Sequence, residues 1–175
     1  MNIIIANIVA LIASIIMVSI GLIKKKKRII YYQTIQIGLF VVSNILLGAA
    51  TGIIINSISC VRNILCYKNK LDKKNKIIII ILSVVTSLLF NNKGIIGLLP
   101  LISSVVYIIY MNIKDVVKFK YILIFTLLLW FVYDFYIMSY TSALFDLISA
   151  ISAGIGIYQV KNKRKVEHES KIKSR

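Results

Sequence analysis

Carboxylates, cysteine, histidine and proline are all scarce in this chain. Its 175 residues include 6 Asp and Glu, 2 Cys, 1 His and 1 Pro. Cys60 and Cys66 lie six residues apart in one apolar segment and share no helical face, so no disulfide framework is expected and both read as small apolar residues. No spacing of His, Cys, Asp and Glu suits a metal ion. There is no nucleophile–base pair and no phosphate-binding loop, and two carboxyls set in apolar helices are a weak basis for hydrolysis. The chain therefore does not read as an enzyme, and no cofactor is implied. Polar stretches are short too. With 59% hydrophobic residues and a mean hydropathy of +0.87, a soluble domain of this size would lack polar surface.

What is present is apolar sequence punctuated by lysine. Runs of roughly 20 apolar residues match the hydrocarbon thickness of a bilayer. The net charge of +16 would suit a nucleic-acid binder only if the basic residues lined a folded polar surface. They fall instead between and after apolar segments, the pattern that sets membrane topology, so nucleic acid is not an expected partner and the bilayer is. The first apolar run has no basic stretch before it, and Lys24 to Arg28 follow it, which argues against a cleavable signal and for an N-terminus outside.

Seven helices are predicted, at about 4–23, 30–48, 51–67, 77–91, 95–112, 117–138 and 142–160. The fourth is the shortest, with Lys76 placed to snorkel at its end. Under this scheme the inside regions 24–28, 68–76, 114–120 and 161–175 hold five, five, three and seven Lys or Arg, which is 20 of the 22. Arg62 falls within a helix and Lys93 outside. Omitting the fourth span would put two of these basic regions on the wrong side, so the positive-inside bias favours seven spans and a cytoplasmic tail. The tail from Lys161 to Arg175 is polar and mixed in charge, and is expected to be disordered or to lie on anionic headgroups. His168 in it has no chemical role in this reading.

The sequence also aligns with itself at an offset of 90 residues without a gap. Asn2 meets Asn92, Ser14 meets Ser104, Lys24 meets Lys114, Tyr31 meets Tyr121, Asn44 meets Asp134, Thr51 meets Thr141, Asn56 meets Asp146 and Ser59 meets Ser149. Polar residues are rare inside apolar helices, so their coincidence at one offset is informative. The fold expected is all-α and polytopic: two parallel three-helix repeats around a linker helix, N-terminus out and C-terminus in. Its units are a first bundle at 1–68, a basic loop and linker helix at 69–93, a second bundle at 94–160 and a basic tail at 161–175. Solute sites in such folds lie between the repeats.

Asp134 and Asp146 are the only acidic residues within helices. They flank the turn near 139–141, at similar depth, and Asn44 and Asn56 repeat the arrangement around the turn near 48–50. Phe40 with Asn44, and Trp130 with Asp134, share helical faces at i, i+4. Together these six residues are candidates for a solute pocket, suited to an uncharged polyhydroxylated or ring-bearing solute or a cationic one. Stripes of small and polar residues, such as Gly52, Ser59, Ser149 and the 149–156 stretch, also serve simple helix packing. An ionisable group at this depth more often marks function. Arg62 is placed about 9 Å deeper, too far to neutralise the pair, and is expected to snorkel or to line the inner half of the path. Without a counter-ion the two Asp are expected to share an exchangeable proton. Pro100, inside the fifth predicted helix, is a candidate hinge for a gate.

The segments Gly97-Leu98-Leu99-Pro100, Trp130-Phe131-Val132-Tyr133-Asp134-Phe135 and Ile53-Ile54-Ile55-Asn56 through Arg62-Asn63 resemble the bacterial inner-membrane proteins of the YgjV type, through most of the chain except the tail. That resemblance implies an inner-membrane location and no defined activity. More distantly, the architecture is similar to SWEET and PQ-loop transporters, where resemblance implies that an aromatic on the middle helix and an Asn on the third line the pocket. Here those positions are Phe40 and Asn56, and Trp130 and Asp146. The Pro-Gln pair of that group is absent, and Asp146 replaces an Asn. The functional expectation is a small-solute transporter, with a proton as a candidate second partner; a non-transporting sensor and a structural accessory subunit are the alternatives.

Overall fold

The computed structural model describes residues 2–47, 50–91, 94–136, 138 and 140–173. Lys93, parts of the connections expected near 48–51 and 139–141, and the side chains of residues 2, 3, 50–52, 168 and 171–173 lie outside the described residues, including Thr51, Gly52 and His168.

Among the described residues the fold is all helical. Seven α-helices follow one another: α1 (Asn2–Ile20), α2 (Lys26–Leu47), α3 (Ala50–Tyr67), α4 (Lys73–Phe90), α5 (Leu99–Tyr110), α6 (Val116–Tyr136) and α7 (Tyr140–Lys173), with a short 3-10 turn at Ile96–Leu98. Three of them, Lys26–Leu47, Val116–Tyr136 and the Tyr140–Glu167 part of α7, are long and apolar enough to cross a membrane; Ile4–Ile20, Ile53–Tyr67 and Ile96–Tyr110 are shorter apolar helices. Burial runs opposite to that of a water-soluble bundle. Ile4, Ile8, Leu11 and Ile15 of α1 and Ile77, Ile81, Leu88 and Leu89 of α4 face outward, whereas Gln33, Gln36, Asn63, Asp134 and Asp146 are buried. Outward apolar faces suit hydrocarbon, and inward polar groups find partners away from it.

The sequence sets where helices begin. Asp72 caps α4, its carboxylate accepting from the Asn75 N–H at 2.8 Å. Asp115 does the same for α6, accepting from the Val117 and Lys118 N–H groups. It also pairs with Arg164 at 2.9 Å. These backbone hydrogen bonds, led by that of Lys118, hold the Asp115 carboxyl below its ordinary value.

Two expectations are corrected here. Pro100 stands in the first turn of α5, where the missing N–H has no intrahelical partner to lose, so it does not kink a helix interior. The tail is not irregular: α7 continues to Lys173, supported by Lys163–Glu167 and Lys165–Glu169 pairs at i, i+4 and tied to the bundle by Arg164.

Neighbouring helices pack in sequence, α2 between α1 and α3 and α6 between α5 and α7, while α1 packs on α7 and α4 on α5 and α3. The α1–α7 seam is built from small residues: Ala13, Ala150, Ala153, Ser149 and Ser152 are buried, and the Ser152 hydroxyl donates to the Val18 carbonyl at 2.7 Å. A Cβ on Gly156 would collide with the Gly21 carbonyl and the Lys120 ammonium, whereas one on Gly154 would meet nothing.

Gly156→Ala is therefore expected to destabilise the protein by about 1–3 kcal/mol through overpacking. Gly154→Ala, two residues away on the same helix, is expected to be neutral or to gain up to about 1 kcal/mol from helix propensity. Thermal unfolding of the two variants side by side checks this.

Candidate functional site

One end of the bundle gathers the lysines. Lys26 of α2 donates to the Met111 carbonyl just past α5, Lys76 to the Ile109 carbonyl, Asn112 to the Leu71 carbonyl, and Lys161 reaches the Tyr121 hydroxyl. Lys120 of α6 donates to the Gly21 carbonyl just past α1. The Lys120 side chain is fully buried. Helix C-terminal carbonyls lack intrahelical donors and carry the negative end of the dipole, so these ammonium groups satisfy them directly.

Above this face a packed layer of Ile29, Ile108, Met111 and Phe119, all fully buried, seals the centre of the bundle. Beyond it opens a cavity of about 910 Å³, walled by α1, α2 and α3 on one side, by α5, α6 and α7 on the other, and by Ser83, Thr86 and Ser87 of α4.

The cavity is graded along its length. At the sealed end lie Ile20, Gln33, Arg62 and Tyr107. The Tyr107 hydroxyl donates to Gln33 Oε1, and the Arg62 guanidinium lies 4.8 Å over the Tyr107 ring. Arg62 Nε donates to Asn63 Oδ1 at 3.1 Å, and among the described residues Asn63 Nδ2 is the one buried polar side-chain atom without a partner. Arg62 is 7% exposed and lines the cavity, so it does not snorkel to the interface. At mid-height stand Phe40, Asn56, Ser59, Trp130 and Ser149. Asp146, as far into α7 as Asn56 is into α3, stands at the same height, with Asp134 toward the other end and within reach of it. A carboxylate only accepts, so a hydrogen bond between the two requires one proton.

Five of the six candidate pocket residues thus meet on one wall or another: Phe40, Asn56, Trp130, Asp134 and Asp146. Pro100 is on the wall too, at the start of α5. Asn44 is half-buried on α2 and not on the cavity wall. Sequence reasoning missed Gln33, Gln36 and Tyr107. The two glutamines were discoverable, since Gln33, Gln36 and Phe40 fall on one helical stripe in an otherwise apolar stretch. Tyr107 has no signal of its own, because its value comes from packing under Arg62.

Residues 4–164 match the model of a bacterial inner membrane protein family, Imp-YgjV. The chain belongs to this family. An Imp-YgjV protein is located in the bacterial inner membrane, in keeping with the outward apolar faces of its helices. No curated protein and no solved structure matches it, so the likeness to SWEET and PQ-loop transporters rests on motif placement alone.

The carboxyl pair makes a separable prediction. Asp134→Asn or Asp146→Asn retains a hydrogen bond, since an amide donates to a carboxylate, and is expected to leave thermal stability within about 1 kcal/mol. Asp134→Ala strands the other carboxyl in a buried site and is expected to cost about 1–3 kcal/mol. Melting curves in detergent distinguish the two.

Proposed function

We propose that this protein moves a small polar solute across the inner membrane, through the cavity between its two sets of three helices. The observation that carries the reading is the cavity itself: a largely apolar, aromatic-walled space into which a few polar groups and a close carboxyl pair are set, with a packed apolar layer at the basic face. Polar groups inside a bilayer are costly unless they pair or face water, and a chain that needed only to pack would fill this space with apolar side chains.

In this reading all seven helices span the membrane as three plus one plus three, with 1–68 and 94–160 as repeated bundles and 69–93 as the linker. The basic face is cytoplasmic, the N-terminus is outside, and the sealed conformation opens away from the cytoplasm. Asn56, Trp130, Phe40, Asp134 and Asp146 contact the solute, which is sugar-like or another small polar molecule. Rocking of one bundle on the other would expose the cavity alternately. Pro100, at the first turn of α5, sits where such a movement would bend the chain. The shared proton between Asp134 and Asp146 leaves when the solute's donors replace it, coupling the step to pH.

Thermal stability against a panel of sugars, nucleosides, amines and amino acids, at pH near 5.5 and near 7.5, tests the reading. A ligand at 100 times its Kd is expected to add about 2.7 kcal/mol. The shift should belong to one solute class and be lost in Asp146→Asn, and proteoliposome uptake of that solute should vary between about pH 5 and 8. No shift with any compound at either pH would favour a structural accessory role, and binding without uptake would favour a sensor.

A further inference from the structure

We propose that the solute is an organic acid whose carboxylate is seated by Arg62. This rests on the reading of the cavity as a solute site and names the chemistry at its sealed end.

The chain has six carboxylates, and each has a partner elsewhere. Asp72 caps α4, and Asp115 caps α6 and pairs with Arg164. Glu167 and Glu169 pair with lysines along α7. Asp134 and Asp146 are bonded to each other. Arg62 is therefore a guanidinium more than nine-tenths buried with no carboxylate partner among the described residues. An unpaired buried cation is costly, and nothing in the fold requires one at this place.

Geometry shows where a partner would come from. Asn63 holds the Nε edge, and Tyr107 covers one face of the guanidinium. Among the described residues the two terminal nitrogens make no hydrogen bond, and Arg62 lines the cavity. Orienting the group by its inner edge and one face leaves the fork of terminal N–H donors for the cavity, the arrangement that suits a planar carboxylate held by two bonds. Arg62 lies six residues beyond Asn56 on α3, roughly 9 Å along the helix toward the basic face. Asn56 marks the mid-height of the cavity, so the solute would extend upward from Arg62 past Phe40 and Trp130 toward the carboxyl pair. Hydroxyl or amino donors at its far end suit the carboxyl oxygens of Asp134 and Asp146.

The test uses the full-length protein in detergent and solutes that differ at a single group: an aldose, its uronic acid and the uronamide, and amino acids beside their amides. Thermal stabilisation is read for wild type, Arg62→Lys and Arg62→Gln. An acid is expected to bind at least about tenfold more tightly than its amide, the preference shrinking in Arg62→Lys and vanishing in Arg62→Gln. The wild-type ratio of acid to amide decides the matter even where a variant fails to fold. A neutral sugar or an amide that binds as well as its acid would overturn the role of Arg62 while leaving the solute site standing. Absence of binding by every compound would remove both.

Discussion

Two of the lysine-to-carbonyl bonds at the basic face, those of Lys26 and Lys120, tie the first three helices to the last three. Lys26 of the first half reaches the end of α5 in the second, and Lys120 of the second reaches the end of α1 in the first. Each bond answers two costs at once, an ammonium removed from water and a helix terminus whose carbonyls have no intrahelical donor. The exchange is reciprocal: Gly21 and Met111 stand 90 residues apart, the same register that aligns the polar residues of the two halves. Gly156 belongs to the same device. Its missing side chain is what lets α7 approach the Gly21 carbonyl and leaves room for the Lys120 ammonium.

With the basic face clamped, the rest of the interior can be polar. The apolar layer of Ile29, Ile108, Met111 and Phe119 closes one end, and the helices diverge from it around the cavity. Some hydroxyls there are already engaged: Ser103 donates to the Thr126 carbonyl and Ser149 to the Phe145 carbonyl. The ionisable groups on the wall are fewer and more chemically distinct. They are the carboxyl pair toward one end and the guanidinium at the other, with Trp130 and Phe40 between.

The helices were readable because their signal is cumulative. Seven apolar stretches, with basic clusters at three of the connections between them, give seven helices whichever single residue is misjudged. Asp134 and Asp146 were readable for the opposite reason, since one ionisable group in an apolar helix is conspicuous alone. What failed depended on direction. Asn44 shares a depth with Asp134, but depth below a turn does not say which way a side chain points, and Asn44 falls off the cavity wall. Lys120 was counted among the basic residues of the inside region 114–120, and only the tertiary fold brings the Gly21 carbonyl to it. Pro100 was placed inside a helix because the chain from 95 onward is uniformly apolar, which hides the change from a 3-10 turn to α-helix at Leu99. The tail was judged by polarity, yet its Lys–Glu pairs at i, i+4 are themselves a helix signal.

The charges differ between the two segments that align at the 90-residue offset. In the 90-residue register Asn44 and Asn56 of the first half become Asp134 and Asp146 in the second, and Arg62 becomes Ser152. The second half therefore holds the acidic groups and the first half the cation. Ser152 has taken up a packing role against the Val18 carbonyl, in the tight α1–α7 seam where an arginine would have no space. A symmetric pair of identical halves would place the same charge on both walls at each depth, and like charges facing across a low-dielectric gap repel. Divergence removes that repulsion and leaves a field along the cavity, negative toward one end and positive at the sealed end. On the proposed reading of the cavity, a solute entering such a field would be oriented before it touched either charge.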